Sequence, residues 1–312
     1  MVDVTIIIPN YNHGDYIIQR LDTIAFQTYT QWEAIIIDDA STDNSANYIE
    51  TYLKNHVKFK VKHFIKNELN SGSGYISWLK GFELAETEYI WIAETDDYSD
   101  PSFLETTISA LKANSKAALA FTASNYVDSH GKFLYTTSKR LAKLKLDSGQ
   151  SKIFKGQVII EDFPLQPLIT NGSAVVFRKP KTQIPKDLFL HKQLSDIFLW
   201  TLLLKDTYFI YINKELNYFR RHDQSTTTVN YAKHKEEIYV QYCKYVSYFK
   251  QESTKAKRII DHYVKHFLIP NRKKVGYLYL QPIEGLYNVS RLGMVLRIMR
   301  GYFNYMFKRI VS

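Results

Sequence analysis

Cysteine is nearly absent from this sequence, since Cys243 is the only one among 312 residues. A single thiol excludes an internal disulfide framework and a cysteine-rich metal site, and it suits a reducing compartment. No apolar run approaches the roughly 18 to 20 residues that span a bilayer. The start of the chain has neither a basic leader nor a small-residue cleavage site, so we expect the mature chain to begin at Met1.

Two common nucleotide-binding signatures are missing as well. No Gly-x-Gly-x-x-Gly segment follows the first apolar run, and no Gly-Lys-Ser/Thr loop occurs anywhere in the sequence. These absences argue against a dinucleotide-dependent dehydrogenase and against a phosphate-loop NTPase. The sequence also contains no internal repeat and no low-complexity segment.

The composition is that of a folded, aromatic-rich protein. Hydrophobic residues make up 45% of the chain and charged residues 23%, with 24 tyrosines and 18 phenylalanines. This aromatic share is well above what a disordered tail carries. The formal charge is +10, from 41 basic and 31 acidic residues, and much of it lies after Lys132. Such a charge attracts anions of any kind, so its placement matters more than its total.

Short β-branched runs alternate with helical stretches through the first part of the chain. We predict strands at residues 4–8, 34–37, 57–65, 89–93 and 117–121, and helices at residues 16–27, 44–55, 74–85 and 101–113. This order predicts an α/β fold with a doubly wound, mainly parallel sheet. Ligands of such sheets bind outside the carboxyl ends of the strands.

The regular alternation fades after residue 121. We predict a β-hairpin over residues 124–135 and a basic linker over residues 140–155. Strand patterns return at residues 173–177 and 208–221, on either side of a helical pattern at residues 191–205. From Tyr231 onward the sequence predicts helices only.

Three carboxylates follow the predicted strand at residues 89–93, within the segment Glu94-Thr95-Asp96-Asp97. Acids this close repel one another unless a cation neutralises them, and oxygen ligands at a strand end suit Mg²⁺ or Mn²⁺. A solvated acidic turn before the helix at Pro101 is the other interpretation. The cluster therefore indicates a candidate divalent-cation site. The residues at the other strand ends help to decide between this site and a solvated turn.

Polar residues also follow the first two predicted strands. After the first strand, Pro9 ends the ladder, Tyr11 offers a flat ring for a nucleobase, and Asn12 can hydrogen-bond the edge of that base. After the second strand, Asp38 and Asp39 can accept hydrogen bonds from ribose hydroxyls or a base N–H. Helix capping is the alternative role for this second pair.

Together these segments resemble the GT-A nucleotide-sugar glycosyltransferases of family two. The likeness covers roughly the first 125 residues densely, and motifs in a fixed order are more specific than any one alone. It implies a GT-A fold with a Rossmann-like nucleotide-binding half. The matching segments are Val4-Thr5-Ile6-Ile7-Ile8-Pro9-Asn10-Tyr11-Asn12, Phe26-Gln27-Thr28-Tyr29-Thr30-Gln31-Trp32-Glu33, Ile36-Ile37-Asp38-Asp39-Ala40-Ser41-Thr42-Asp43, and Glu94-Thr95-Asp96-Asp97-Tyr98 with Pro101.

The resemblance also implies roles for individual residues. Asp96 and Asp97 would hold the ribose, the diphosphate and a Mn²⁺ or Mg²⁺ ion, with Asp97 as the direct metal ligand. Glu94 departs from the family, in which Asp is more common at this place, and its longer side chain can reach the donor sugar instead. The residues that would surround the base and ribose are Pro9, Tyr11, Asp38 and Asp39.

The second half must supply a base that removes the proton of the acceptor hydroxyl. Asp196 is the candidate, because it is an isolated acid entering an apolar helix and resembles the family's acidic pair followed by Leu-Trp, although Ser195 replaces the first acid. An ordinary first-turn Asp favoured by the helix dipole is the other interpretation. On the acceptor side we expect Gly172, Ser173 and Trp200, with a plain β-turn as the alternative for the first two.

The segment from Tyr218 to Thr226 resembles the loop that closes over the donor diphosphate. Arg221 and His222 offer charge-assisted hydrogen bonds to phosphate oxygens, and Ser225 adds a hydroxyl. A solvated basic loop is the other interpretation. We therefore divide the chain into a nucleotide-sugar-binding half, an acceptor-binding and catalytic-base half, and a helical C-terminal region, at residues 1–125, 126–228 and 229–312.

The last predicted helix, over residues 290–310, has a narrow polar stripe opposite a broad apolar surface. This pattern is typical of a helix lying in an anionic membrane leaflet, and Arg272-Lys273-Lys274 would add attraction. Docking on the protein's own core or on a partner subunit, as in a homo-oligomer, is the alternative. The polar stripe comprises Ser290, Gly293, Arg297, Arg300, Gly301, Asn304 and Lys308.

We therefore predict an inverting, metal-dependent glycosyltransferase. Its donor would be a nucleotide diphosphate sugar, with UDP as the usual nucleotide in the family, and its acceptor a hydroxyl of a saccharide or lipid-linked saccharide. We expect a cytoplasmic enzyme, peripheral on the inner face of the cell membrane. A non-catalytic nucleotide-sugar or carbohydrate binding module is the alternative. We expect no nucleic-acid partner, because acidic strand-end loops repel phosphates and no aromatic RNA-binding run occurs.

Overall fold

The computed structural model describes residues 2–191, 193–222, 235–251, 253–286 and 289–311. The chain forms two compact units, Met1–His222 and Asp223–Ser312. The predicted boundary between residues 125 and 126 does not separate two units, because it falls inside the strand Ala117–Val127. The predicted boundary between residues 228 and 229 lies outside the described residues.

The first unit begins with a parallel four-stranded segment of sheet. Its strands are β1 (Val4–Asn10), β2 (Trp32–Asp38), β3 (Val61–Lys66) and β4 (Tyr89–Ile92), paired in the order β3-β2-β1-β4. The connections are helical, as predicted, through α1 (Gly14–Ala25), α2 (Ser45–Asn55) and α3 (Gly74–Leu84). The strand predicted at residues 57–65 is shorter and begins at Val61.

Strand β1 is buried on both faces, which explains its unbroken run of apolar residues. Ile6 and Ile8 belong to a core cluster that includes Ile17 and Leu21 of α1. Ile7 faces the other side of the sheet, against Gly81 of α3. Helices therefore cover both faces of the sheet, as the doubly wound prediction requires.

The rest of the sheet is mixed rather than mainly parallel. Among the described residues, β9 (Val175–Arg178) lies antiparallel between β4 and β6 (Ala117–Val127), while β10 (Tyr208–Arg220) runs parallel to β6. The sequence pattern could not reveal this, because a fully buried strand reads as an apolar run in either direction. The remaining strands are β5 (Tyr98–Ser99), β7 (Phe133–Thr136) and β8 (Ser151–Lys155).

The helices of the second half of this unit are shorter than those of the first. The long helix α4 (Phe103–Ala113) leads into β6. The predicted basic linker begins at the end of α5 (Ser138–Leu141) and contains strand β8. Helix α6 (Gln157–Ile160) follows, and α7 (Ser195–Leu204) begins four residues after the predicted start at His191. The antiparallel pairing of β5 with β10 brings the end of β10 beside the segment that follows β4.

The second unit is helical within its described residues. It contains α8 (Lys235–Tyr248), α9 (Ser253–Tyr263), α10 (Ile269–Val275) and α11 (Arg291–Val311), with a π-helical turn at Val264–Leu268 between α9 and α10. Within the described part of the chain, no helix combines the length and the hydropathy of a membrane span.

Helix α11 packs on its own unit through a face that the sequence pattern does not predict. Met294 and Ile298 are buried, and a Cβ at Gly301 would lie 2.5 Å from Val264 Cγ1. Arg297 forms a two-pronged ion pair with Asp261 of α9, with both nitrogen–oxygen distances at 2.6 Å. Arg297 and Gly301 of the predicted polar stripe are therefore half-buried against the protein's own unit, and the membrane role of the helix stays a prediction.

The close approach of α3 to β1 generates a stability prediction. A Cβ at Gly81 would lie 2.5 Å from Ile7 Cγ2, whereas a Cβ at Gly74 of the same helix would meet nothing within 4 Å. We expect Gly81→Ala to lower the free energy of unfolding by about 1–3 kcal/mol because of overpacking. Urea unfolding followed by tryptophan fluorescence reports on this unit, since all four tryptophans lie in it.

Gly74→Ala is the matched control, and we expect its free energy of unfolding to stay within about 0.5 kcal/mol of the wild type. Equal midpoints for the two variants would contradict the close helix–strand contact.

Candidate active site

The acidic corner, Glu94 to Asp97, lies at the carboxyl ends of β1 and β4. The Thr95 hydroxyl donates to the carbonyl of Pro9 at 2.5 Å, which ties the corner to the end of β1. Thr95 is fully buried and Asp97 is 2% exposed. The acids therefore do not form a solvated turn, and their charges need partners inside the protein.

Asp97 has protein partners on both carboxylate oxygens. Its Oδ2 accepts from Asn171 Nδ2 at 2.7 Å, and its Oδ1 accepts from the backbone N–H of Arg220 at 3.0 Å. Burial, and then the charge of Asp96, raise the pKa of Asp97 to about 7. In this arrangement Asp97 anchors the acidic corner to the end of β10, and its predicted role as the direct metal ligand stays a prediction.

Asp96 instead faces two histidines. Its Oδ2 lies 3.1 Å from His222 Nε2, and ligand atoms of His13, Asp96 and His222 all lie within 4.8 Å of one another. Burial lowers the pKa of His13 below its usual value, which favours the neutral imidazole that binds metals. The Nδ1 atom of His13 is buried and has no hydrogen-bond partner among the described residues.

Two buried arginines compensate the acidic corner. Arg20 of α1 is fully buried and donates from Nε to the carbonyl of Glu94 at 2.8 Å. Arg220 donates from Nε to the carbonyl of Asp96 at 2.8 Å, and its guanidinium carbon lies 4.6 Å from the Tyr16 ring centre. Burial lowers the pKa of Arg20 to about 10, and the neighbouring acids oppose that shift. Arg20 therefore stays charged beside them at neutral pH.

Glu94 is connected to Asp196 through helix α3. Trp78 Nε1 donates to Glu94 Oε1 at 2.8 Å, and the ring of Trp78 lies 4.9 Å from that of Tyr75. The Tyr75 hydroxyl in turn acts on the carboxylate of Asp196, whose pKa it lowers. Burial, followed by the charges of Asp96 and Asp97, raises the pKa of Glu94 to about 8.

Asp196 has the surroundings of a carboxylate that can take up a proton. Burial raises its pKa to about 6, although the Ile197 N–H and the Tyr75 hydroxyl act in the opposite direction. Its Oδ1 atom is buried and lacks a hydrogen-bond partner within the described part of the chain. A group with this pKa is deprotonated at neutral pH and still basic enough to accept a proton.

The residues expected on the acceptor side are buried beneath the acidic corner. Ser173 is fully buried, and its hydroxyl accepts from the Glu94 N–H at 3.0 Å. A Cβ at Gly172 would lie 2.9 Å from Trp78. Trp200 is also fully buried, with its ring 6.4 Å from that of Trp78. These residues support the acidic corner and α3 from behind, and their predicted place on the acceptor side stays a prediction.

The residues at the ends of β1 and β2 are largely committed to local structure. Asp38 accepts from Asn10 Nδ2 and from the Ser41 hydroxyl, both at 2.6 Å. Asp39 accepts from Asn67 Nδ2 at 2.7 Å and from the Ser71 hydroxyl at 2.7 Å. Both aspartates are nearly fully buried, so they order the loops after β2 and β3.

The remaining donor-side residues differ in how much surface they present. Tyr11 is 44% exposed and can offer its ring to a planar ligand. Asn12 has φ +53, and its Oδ1 accepts from the Thr42 N–H at 2.7 Å, which holds the loop after β2. The Arg221 guanidinium lies 5.7 Å from the ring centres of Tyr126 and Phe219. Ser225 lies outside the described residues.

Sequence reasoning assigned no role to four residues of this site: Arg20, Tyr75, His13 and Asn171. A buried arginine on the apolar face of α1 was the available signal, because Arg20 shares the helical spacing of Ile17, Leu21 and Ile24. His13 has no such signal, since it is adjacent to Asn12 in a loop and reaches Asp96 only in the folded chain.

The fold and the site define an α/β protein of the GT-A type, with an acidic corner at its strand ends and a separate carboxylate on a later helix. Known sequences agree with this class. The sequence profile described as Glycosyl transferase family 2 matches residues 5–180. The chain therefore belongs to glycosyl transferase family 2.

Individual relatives match a smaller part of the chain. Glycosyltransferase GlyG of Streptococcus pneumoniae is 28% identical over 132 residues, which are 42% of this chain and 42% of GlyG. Poly(ribitol-phosphate) beta-N-acetylglucosaminyltransferase TarS of Staphylococcus aureus is 31% identical over 107 residues, or 34% of this chain and 18% of TarS. The similarity thus spans less than half the length of these relatives.

Solved structures resemble the whole fold. The crystal structure of Staphylococcus aureus TarS 1–349 in complex with UDP superposes with a TM-score of 0.62, over 96% of this chain and 89% of that one. The sequence identity in this superposition is 15%. The likeness at this identity concerns the fold.

The buried compensation of the acidic corner generates the second prediction. We expect Arg20→Met to lower the free energy of unfolding by about 3–5 kcal/mol, because it leaves buried carboxylates without their cationic partner. Urea unfolding in EDTA, followed by tryptophan fluorescence, measures the change without any contribution from metal.

Arg140→Met is the control for the loss of an arginine. Arg140 is exposed and donates to the Pro167 carbonyl at 3.0 Å, so we expect a change of about 1 kcal/mol or less. If Arg20→Met had as small an effect as this control, the compensating role of Arg20 would be wrong.

Proposed function

We propose that this protein is an inverting, metal-dependent glycosyltransferase that uses a nucleotide diphosphate sugar. The observation that carries the proposal is the path from the acidic corner to Asp196, through Glu94, Trp78 and Tyr75, within one compact unit. It connects a candidate site for the departing diphosphate to a candidate base for the incoming hydroxyl. Membership of glycosyl transferase family 2 supports the same reaction class.

UDP is the nucleotide that we propose for the donor. The structures of TarS that resemble this chain include complexes with UDP and with UDP-GlcNAc. The exposed ring of Tyr11 would stack on the base, while Asp38 and Asp39 would shape the ribose pocket through the loops that they order. Arg221 would add positive charge near the diphosphate. A hexosyl or N-acetylhexosaminyl group is the proposed sugar.

The donor set at the acidic corner fits a divalent cation. Asp96 and His222 would hold the ion, and His13 would complete the set with its buried, unpartnered ring nitrogen. A bound divalent cation supplies positive charge that stabilises the leaving diphosphate. Two imidazoles beside one carboxylate favour Mn²⁺ over Mg²⁺, because Mg²⁺ prefers oxygen ligands more strongly.

Asp196 is the group that we propose as general base. Its carboxylate would accept the proton of the acceptor hydroxyl as the oxygen of that hydroxyl attacks the anomeric carbon. We propose one displacement with inversion, since the surroundings of Asp196 suit a base and no second nucleophile is evident among the described residues near it. Glu94, with its raised pKa, would donate a hydrogen bond to a sugar hydroxyl when protonated.

The acceptor that we propose is a saccharide or a lipid-linked saccharide. A wall or envelope polysaccharide context is supported by TarS, whose name describes transfer to poly(ribitol-phosphate). The proposed setting is the cytoplasmic face of the cell membrane, where a lipid-linked acceptor is accessible.

The central experiment measures UDP release from a panel of UDP sugars with Mn²⁺, with and without a saccharide acceptor. We expect Asp196→Asn to lower turnover at least about 100-fold while the donor dissociation constant changes little, because the base acts on the acceptor. We expect Asp96→Asn to weaken Mn²⁺ binding, measured by electron paramagnetic resonance, and to lower turnover as well.

Asp206→Asn is the matched control, because Asp206 is exposed in a turn with φ +61, a conformation that asparagine tolerates. Donor binding by the wild type without any turnover would point to a binding module instead. Full turnover in Asp196→Asn would rule out Asp196 as the base.

The pH dependence of turnover provides a further prediction. The pKa of Asp196 is about 6, and only the deprotonated carboxylate accepts a proton, so turnover should rise with pH through this value. Tyr75→Phe removes the hydroxyl that lowers this pKa. We expect the acidic limb of the profile to move to higher pH by about half a unit or more.

Tyr48→Phe is the control, because Tyr48 is 44% exposed on α2. An acidic limb that stays at the same pH in Tyr75→Phe, with turnover otherwise retained, would show that Asp196 does not set the profile.

A further inference from the structure

The outer face of α11 is strongly apolar, although the helix is already packed on its own unit through Met294 and Ile298. Six large apolar side chains on the other side are between 57% and 70% exposed. At 100° per residue they fall within about 100° of the helix circumference. These residues, called here the outer stripe, are Leu292, Leu296, Met299, Phe303, Met306 and Phe307.

The outer stripe continues onto a neighbouring loop. Tyr277 and Leu278 are 62% and 55% exposed, and the Tyr277 ring lies 5.4 Å from that of Tyr302 on α11. Soluble monomers rarely expose contiguous apolar patches larger than a few hundred Å². Since α11 is already docked through its other side, an apolar patch on its outer side indicates a surface that a lipid layer or another molecule covers.

Basic residues lie beside this apolar surface. Lys273 and Lys274 are exposed at the end of α10, directly before the loop that carries Tyr277. Arg272 ties that segment to α11, since its guanidinium carbon lies 5.7 Å from the Tyr305 ring centre. Arg300 is exposed on α11 itself, next to the outer stripe. Cationic side chains thus border the apolar residues on one part of the unit.

The charge of the whole protein is concentrated in this unit. Residues 223–312 contain 16 basic and 6 acidic residues, a formal charge of +10. Residues 1–222 contain 25 of each and are formally neutral. The excess charge therefore does not serve the diphosphate site of the first unit. The excess positive charge lies instead in the unit that carries the outer stripe.

We propose that the outer stripe of α11 inserts into the interface of an anionic lipid bilayer, while Lys273, Lys274 and Arg300 contact the lipid phosphates. Apolar residues bordered by cations match the two layers of such an interface, where acyl chains lie beneath anionic headgroups. A second copy of this chain would carry the same concentrated positive charge, so charge complementarity favours lipid over self-association. This inference does not depend on the proposed glycosyl transfer.

The first test is co-sedimentation of the full chain with vesicles of phosphatidylcholine alone and with one quarter phosphatidylglycerol. We expect at least tenfold stronger binding to the anionic vesicles, and weaker binding as salt increases. Leu296→Ser with Phe303→Ser should reduce binding at least tenfold, because two exposed side chains no longer enter the acyl region. Lys273→Glu with Lys274→Glu should remove the preference for anionic lipid.

Matched controls come from the first unit. Val57→Ser with Leu69→Ser removes two apolar side chains that are 86% and 83% exposed, and Lys54→Glu with Lys58→Glu reverses two exposed charges. We expect both controls to bind anionic vesicles within about twofold of the wild type. If the controls weakened binding as much as the α11 variants, adsorption would be non-specific and the proposal would be wrong.

A probe on the stripe separates insertion from surface adsorption. Cys243 is buried, so an environment-sensitive dye can be attached selectively at Phe303→Cys. Its emission should increase and shift to shorter wavelength with anionic vesicles, whereas the same dye at Thr51→Cys on α2 should not respond. No shift at position 303 would overturn the proposal. Sedimentation velocity without lipid tests the alternative occupant. If the wild type formed a dimer that Phe303→Ser abolished, a second copy of this chain would cover the outer stripe and the lipid proposal would be wrong.

Discussion

The buried guanidinium groups of Arg20 and Arg220 hold together a loop that carries three carboxylates. Arg20 comes from α1 and Arg220 from the end of β10, and each donates to a backbone carbonyl of the acidic corner. Their positive charges lie beside the buried carboxylate of Asp97 and the half-buried carboxylates of Glu94 and Asp96. This compensation lets the acidic corner stay ordered at the strand ends, where a ligand site of an α/β sheet belongs. It also leaves Asp96 to face His13 and His222.

The arrangement separates two chemical tasks that need different carboxylates. Asp97 has both oxygens engaged by the protein, so it fixes geometry, while Asp96 has histidine neighbours. Asp196 lies apart from them on α7, with a pKa of about 6, and no arginine is among the causes of its pKa shift. Tyr75 and Trp78 join the two regions through one face of α3. Small movements of α3 would therefore affect both the acidic corner and the proposed base.

The sequence predicted the first half of the fold well, because its strands and helices obey simple periodicities. The segments β1 to β4 and α1 to α4 lie close to their predicted places. The antiparallel insertion of β9 was beyond such reasoning, since an apolar run does not encode strand direction. Helix α11 was found, but its contacts with its own unit were not, because Arg297 meets Asp261 and Gly301 meets Val264 only in the folded chain.

The site was predictable where residues adjacent in sequence act together, and not where distant ones meet. Glu94, Asp96 and Asp97 were found as a cluster, whereas Arg20 and His13 were missed because their partners are remote in sequence. The roles predicted for Asp38, Ser173 and Trp200 were direct contacts with ligands. All three are buried, and sequence alone does not show which side of each element faces solvent, so these roles stay predictions.

The bond between Asp97 and the Arg220 backbone joins residues that are 123 positions apart. During translation, the acidic corner therefore leaves the ribosome long before β10 exists. A nascent chain that ends after β4 has its acids but not their last donor, so the early strands cannot complete their native contacts on their own. During synthesis of this unit, the acidic corner therefore lacks this donor until the final strand pairs with β6.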